Sequence, residues 1–340
     1  MKVIQRLRSN HSGNLQNVLP DFQRKTALGY KAFFGFENKT NPFFAPLICA
    51  SHNNNVDFAT AIAVAFSKTP MVMALESYSL NQFCNGRFTL GLGSQIRPHI
   101  IRRYGMPWSD KPARQMREYV NALHAIWDSF ENGGPLNFEG ETYKHTLITP
   151  EFTPHIGGFG RPKVMLGAVG PKMTEAAVDL ADGLMTHSFL SEKSLREINL
   201  KTIEARLAKI GKPRSEFEIQ VPLFIATGSN EEEYKRNVAW HRHRIGFYSS
   251  TPAYKEVLDI HGWGDIHAET KRMTKEGRWD ELGDLVTDEM VDTYTIRGEP
   301  HEIAPKIKAR FGDFVDTLQS NLELEDEEVQ YNIIKAVEEI

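Results

Sequence analysis

The chain predicts an α/β protein, a closed (β/α)8 TIM barrel with an insertion after helix 4, on three observations. Apolar runs of strand length alternate with stretches of helical period, which argues for parallel βαβ construction. About eight such strands fit into 340 residues, a count that suits a closed barrel better than an open doubly wound sheet. The third is the stretch Asn85–Gln95, NGRFTLGLGSQ, where an Asn-Gly turn launches an apolar strand that ends in two glycines and a serine.

Taken in order, the first strand is Lys2 to Leu7, and Leu15 to Leu28 forms a helix if Pro20 sits in its first turn, with Gly29 as its stop. Strand two is Lys31 to Phe36, a helix covers Phe44 to His52, and Val56 to Val64 reads as one long apolar third strand. Thr69-Pro70 supplies a capping threonine and a first-turn proline for a helix over Met71 to Phe83. Strand four is the glycine-rich stretch, and Met116, Tyr119, Val120, Leu123 and Trp127 recur at helical spacing from Ala113 to Phe130. Turn residues then punctuate an insertion at about 131–161 that has room for a hairpin. Alternation resumes with strand Lys163 to Ala168, helix Lys172 to Ala181, strand Gly183 to His187, helix Glu192 to Ile210 and strand Phe217 to Ala226. A helical excursion occupies about 231–290, and Thr293 to Arg297 and Pro300 to Phe311 are read as the last strand and helix. The expectation is a single domain over 1–340.

In such a barrel chemistry belongs at the carboxyl ends of the strands. Phe88, Leu90 and Leu92 alternate with Thr89, Gly91 and Gly93. Gly91 and Gly93 remove side chains where backbone would approach a ligand, and Ser94 adds a hydroxyl beside N–H groups able to hold a phosphate. A dinucleotide fingerprint is excluded, because its third glycine would fall at Ile96. Alone, a Gly-x-Gly serves as readily as a strand end or bulge. A second turn, Gly167-Ala168-Val169-Gly170, runs into a helix, so Gly170 and the amides of Lys172 and Met173 could face an anion; alone it is a tight βα loop. Two such turns on neighbouring strands point to a phosphorylated cofactor.

The formal net charge of −4 gives no electrostatic reason to expect nucleic acid or an anionic membrane as partner. Cys49 and Cys84 cannot build a multi-disulfide framework. No apolar run reaches membrane length, and the start lacks a signal-peptide core, so the expectation is a soluble cytoplasmic protein. No metal site is expected. The HRHR run at His241–Arg244 reads as a solvated or interface helix face, DIHGWGDIH resembles a metal loop only superficially, and Glu323 to Glu328 reads as a solvated acidic tail.

NGRFTLGLGSQ, RRYGMPWSDKPARQMREYVNALHAIW, PKVMLGAVGPKMTEAAVDLADGL and FYSSTPAY together resemble the bacterial luciferase-like monooxygenase superfamily, and within it the deazaflavin (coenzyme F-420)-dependent oxidoreductases. The resemblance runs from about Asn55 to His187 and more faintly to about Arg310. It implies a flavin or deazaflavin across the strand ends, with Gly91, Gly93 and Ser94 lining it and Gly167, Ala168, Val169 and Gly170 binding its phosphate or chain. It also implies a strand-three bulge at Thr60-Ala61, in some relatives with a non-proline cis peptide, behind the ring.

Two departures are visible. Where many relatives carry a histidine after strand two, this chain reads Glu37-Asn38-Lys39-Thr40, and where the sugar-phosphate dehydrogenases place a glutamate after the strand-four glycines, it has Gln95 and Ile96. His99 is the replacement candidate for proton transfer, alternatively a solvated loop histidine, and Asn38 shares that role. His187, at the end of strand six, is expected to contact cofactor or substrate. The resulting expectation is an oxidoreductase passing hydride between F-420 and a small organic substrate. The alternatives are a reduced-FMN monooxygenase using molecular oxygen and a non-catalytic flavin-binding barrel; relatives of this kind often form homodimers.

Overall fold

A computed structural model describes residues 1–7 and 13–340. Residues 8–12, part of the amino-terminal stretch weighed above as a leader, lie outside the described residues. Eight strands, β1 (Lys2–Arg6), β2 (Ala32–Gly35), β3 (Asp57–Thr60), β4 (Phe88–Gly93), β5 (Lys163–Gly167), β6 (Gly183–Met185), β7 (Glu218–Pro222) and β8 (Thr317–Ser320), pair in parallel with their sequence neighbours. Pairing of β8 with β1, Lys2 opposite Thr317, closes the ring.

Local chemistry sets the helices that wrap it: α1 (Val18–Leu28), α2 (Phe44–Ala50), α3 (Pro70–Phe83), α4 (Pro112–Asn132), α5 (Pro171–Leu180), α6 (Lys201–Ile210), α7 (Glu231–Ser249), α8 (Gly264–Lys275), α9 (Pro300–Phe311) and α10 (Glu327–Glu338). Pro20 does fall in the first turn of α1, and Gly29 stops that helix at φ 110°, where an L side chain would be strained. The Thr69 hydroxyl accepts from the Val72 N–H at 3.4 Å to start α3. On α4 the apolar stripe Met116, Tyr119, Val120, Leu123 and Trp127 is wholly buried, each side chain contributing about 1.5–3 kcal/mol by leaving water.

Alternation along the strands splits the core in two. Phe33 and Phe58 join the large outer core under the helices, whereas their neighbours Phe34 and Ala59 join Ile4 and Ala32 in a small inner cluster flanked by Phe36 and Ala61. Both cysteines are buried and unbridged, and burial pushes the Cys84 thiol up to about 12. Among the described residues, no helix is long and apolar enough to cross a membrane.

Four expectations are corrected. Strand three is not continuous to Val64: pairing with β4 holds at Phe58 and Ala59, is interrupted, and returns at Ala63 and Val64 opposite Leu92 and Gly93. The seventh strand ends at Pro222, which has no N–H to extend the ladder; Phe224–Ala226 leaves the barrel and pairs in parallel with Thr295–Arg297. The latter is therefore not the eighth barrel strand, a place taken by β8. The segment Glu323 to Glu328 is no free tail: Glu323 pairs with Arg6 at 2.7 Å, Glu325 with Arg236 at 2.7 Å, and Asp326 caps α10. Of the two readings of His241–Arg244, a solvated or an interface helix face, the structure has the run packed against neighbouring elements of the chain. His241 is buried with Nδ1 against the Asn237 carbonyl at 2.7 Å, Arg242 bonds Asp288, His243 meets the Trp279 carbonyl at 3.0 Å, and Arg244 stacks on Tyr248.

Candidate active site at the barrel mouth

The interruption in strand three shapes the floor of the mouth. In the gap the buried Thr60 hydroxyl takes over the ladder, donating to the Gly91 carbonyl and accepting from the Gly91 N–H, both at 2.9 Å. The Ala61–Ile62 peptide is cis, one bond beyond the position the resemblance suggested. The Ile62 side chain lies over the ends of β4 and β5: a Cβ on Gly93 would sit 2.8 Å from Ile62 Cδ1, and one on Gly167 would sit 3.6 Å from Ile62 Cγ2. Gly91 is different. A Cβ there would fall 2.0 Å from the Thr60 carbonyl and 2.1 Å from Met185 Cε, so this glycine makes room for protein.

Beside this floor β5 turns into α5. Gly170 is the N-cap residue and brings no side-chain cap, so the first-turn amides of Lys172 and Met173 have no helical acceptor. A Cβ on Gly170 would meet nothing within 4 Å. Asn199 fixes the turn from behind, its Nδ2 donating to the Val169 carbonyl at 3.2 Å and to Thr174 Oγ1 at 3.0 Å.

Across the mouth Glu37 joins three elements. One carboxylate oxygen accepts from the Val64 N–H at 2.8 Å and the other from the Tyr104 hydroxyl at 3.0 Å. Burial, then the nearby carboxylate, pushes the Tyr104 phenol up to about 12. Arg103 bonds the Asn38 carbonyl and packs on the Tyr104 ring. The loop after β4, whose His99–Arg103 segment is a π-helical turn, is thereby tied to the end of β2.

His187 stands at the end of β6, stacked on Tyr254 with centroids 4.5 Å apart and edge-on to Tyr248 at 4.6 Å. Its Nδ1 accepts from the Phe189 N–H at 3.0 Å. Burial, aided by the charge of Arg244, pushes its pKa down to about 3, so the ring is neutral over the ordinary pH range. The tyrosines come from the helical excursion, which brings FYSSTPAY over the barrel.

The expected residues thus fall into groups. Thr60 and Gly91 meet each other inside the wall, Gly93 and Gly167 meet Ile62, and Ala168, Val169 and His187 line one small cavity. Ser94 is half-buried, its hydroxyl donating to the Gln95 carbonyl at 3.2 Å. Asn38 is joined to the β4 loop through its backbone, and His99 is exposed with no side-chain partner among the described residues. Ile62 and Tyr104 were not singled out from sequence; nothing in the spacing marks them, because they matter through the break in strand three and a cross-loop contact.

Comparison with known proteins fixes the family. The luciferase-like monooxygenase family matches this chain over residues 7–317. The chain belongs to that family. Its luciferase-like relatives include an uncharacterised protein of Mycobacterium tuberculosis, 41% identical over 288 residues that span 85% of this chain and 84% of the relative. The 5,10-methylenetetrahydromethanopterin reductase of Archaeoglobus fulgidus is 26% identical over 277 residues, 79% of this chain and 78% of that one. Among solved structures, the coenzyme F420-dependent tetrahydromethanopterin reductase of Methanopyrus kandleri superposes with a TM-score of 0.75 at 16% identity, covering 99% of this chain and 96% of that one. The FMN-bound oxygenating constituent of 3,6-diketocamphane monooxygenase from Pseudomonas putida gives 0.68 at 17% identity, covering 99% and 97%. These structures share the luciferase-like barrel. The protein is accordingly a luciferase-like oxidoreductase or monooxygenase. Among its described residues no cluster of three metal-ligating side chains occurs.

Proposed function

We propose that this luciferase-like enzyme binds the deazaflavin coenzyme F-420 across the strand ends and transfers hydride between that ring and a small organic substrate. The observation that carries the reading is the uncapped start of α5 beside the Ile62 floor: an open anion-binding edge at Gly170 adjoining a flat apolar platform over Gly93 and Gly167. A phosphorylated, ring-bearing cofactor fits both at once. The bound deazaflavin supplies a ring carbon that gives or takes hydride where flavin has nitrogen. The Lys172 and Met173 amides would hold the phosphate and Ile62 would support the ring, while the Glu37–Tyr104 tie fixes the loop that carries His99. His99, open to solvent, would exchange the proton at the substrate, and Asn38, equally open, would hydrogen-bond the group that carries it. The methylenetetrahydromethanopterin reductase among the relatives and the F420-dependent reductase among the solved structures favour F-420. The FMN-bound monooxygenase neighbour supports a second reading, reduced FMN acting with oxygen.

Titration of the purified protein with each cofactor, oxidised and reduced, followed by fluorescence and absorbance, separates the two. Saturable F-420 binding without FMN binding is the expected result. FMN binding with substrate-dependent oxygen uptake would install the second reading, and failure to bind either would sink both.

A further inference from the structure

The end of β6 carries two hydrogen-bonding groups that the reading above does not use. Thr186 Oγ1 is buried and has no partner among the described residues. His187, next in sequence, is locked by its stack on Tyr254 and by the Phe189 N–H donated to Nδ1. That bond leaves the ring proton on Nε2, for which no acceptor stands among the described residues. Both residues line the same cavity, about 10 Å³ and so room for a single oxygen atom, with Ala168, Val169, Leu190 and Val257 as apolar wall and with Ser194 and Asn199, whose side chains already donate to Ser191, Val169 and Thr174.

We propose that Thr186 and His187 form a substrate subsite, a pair of donors that receives one uncharged acceptor oxygen, that of a carbonyl or amide group. A carbonyl oxygen has two lone pairs and can accept from both groups at once. The apolar wall disfavours a carboxylate, which would need a cation to offset its desolvation. The nearest candidate, Arg244, does not line the cavity: it donates to the Tyr248 hydroxyl and packs on that ring, and its buried Nε–H has no partner among the described residues. An apolar ligand without such an oxygen would leave the buried Thr186 hydroxyl and the His187 Nε2–H unpaired, so the pair selects as well as binds. The assignment rests on the barrel mouth being the active site and names the substrate class that site takes.

The test uses histidine labelled with 15N and two probes of similar size, cyclohexanone and cyclohexanecarboxylate. Free protein is expected to show His187 as the Nε2–H tautomer. Cyclohexanone is expected to move that resonance saturably, and the carboxylate to bind about tenfold more weakly or not at all. T186V and H187F each weaken cyclohexanone about tenfold, while T186S and H187Q, which keep a donor, retain most of the binding; circular dichroism confirms that each variant is folded. A preference for the carboxylate, an unmoved His187 resonance, or undiminished affinity in T186V and H187F would overturn the proposal. So would displacement of cyclohexanone by F-420 alone, which would assign the donors to the cofactor. The F-420 titration is read separately, so loss of cofactor binding with intact ketone binding would strike the functional reading and leave the subsite standing.

Discussion

A methyl group at position 91 has nowhere to go, one at 93 has a movable neighbour, and one at 170 has open space. Three glycines that look alike in sequence therefore do different work. G91A forces a carbon against the Thr60 carbonyl, a backbone atom that cannot step aside, and is expected to cost about 3 kcal/mol in denaturant unfolding. G170A should leave stability within about 0.5 kcal/mol. G93A displaces only the tip of Ile62, so it is expected to weaken cofactor binding several-fold with little loss of stability. Equal effects of G91A and G93A on stability would contradict this division. Period-two alternation placed these glycines on β4, but which of them faces protein and which faces the mouth depends on where strand three leaves the ladder, and no local pattern encodes that.

Among elements, the tie between the β2 end and the β4 loop is the one whose loss should be easiest to see. E37A leaves the Val64 N–H and the Tyr104 hydroxyl without acceptors, an expected cost of about 1–3 kcal/mol. Y104F removes one bond and costs about 1 kcal/mol. Hydrogen exchange is the direct readout: the Val64 amide and the 99–104 segment should exchange at least tenfold faster in E37A. Unchanged protection there would mean the loop is held by other contacts. Where many relatives were expected to carry a histidine, this chain thus has a carboxylate engaged in holding two loops together. Elements with one strong period or a clear cap were legible in the sequence: α3 through Thr69-Pro70, α4 through its stripe, β4 through its apolar alternation, with β5 marked by a continuous apolar run. β8 was not. Its Thr317, Gln319 and Ser320 are polar yet buried, so Leu318 stands without the apolar partners that mark a strand, and the acidic stretch after it disguised α10. The catalytic candidates fared likewise, since a position at a strand end can be read from spacing while an aromatic stack assembled from a distant excursion cannot.

For the whole molecule, buried neutral histidines predict acid sensitivity. Burial pushes His124 and His241 down to about 4 and His187 to about 3, against an ordinary value of 6.5. Unfolded, each takes up a proton as pH falls below 6.5; folded, it does not until pH 4 or lower. Stability is therefore full above pH 6.5 and declines as pH drops toward 4, by up to about 1.4 kcal/mol per pH unit for each histidine. Denaturant midpoints at pH 7, 6 and 5 should fall steadily, and H124N should lessen the slope. A flat profile, or a slope indifferent to all three histidines, would count against their burial as neutral rings. This window lies above the range in which Asp179, held low by Arg206 and Arg117, and Asp182, held low by the Val164 N–H and then Arg161, begin to protonate, so the two contributions separate on the pH axis.

The short parallel pairing of Phe224–Ala226 with Thr295–Arg297 has a consequence for how this chain can change over time. It clasps the root of the excursion that carries Tyr248 and Tyr254, so everything between the two strands is tethered independently of the barrel's hydrogen-bonded ring. Insertions, deletions or a wholesale exchange of that segment would remodel the roof above His187 while the staves below kept their register. New substrates can then be acquired by swapping the roof, with the floor of the mouth inherited unchanged.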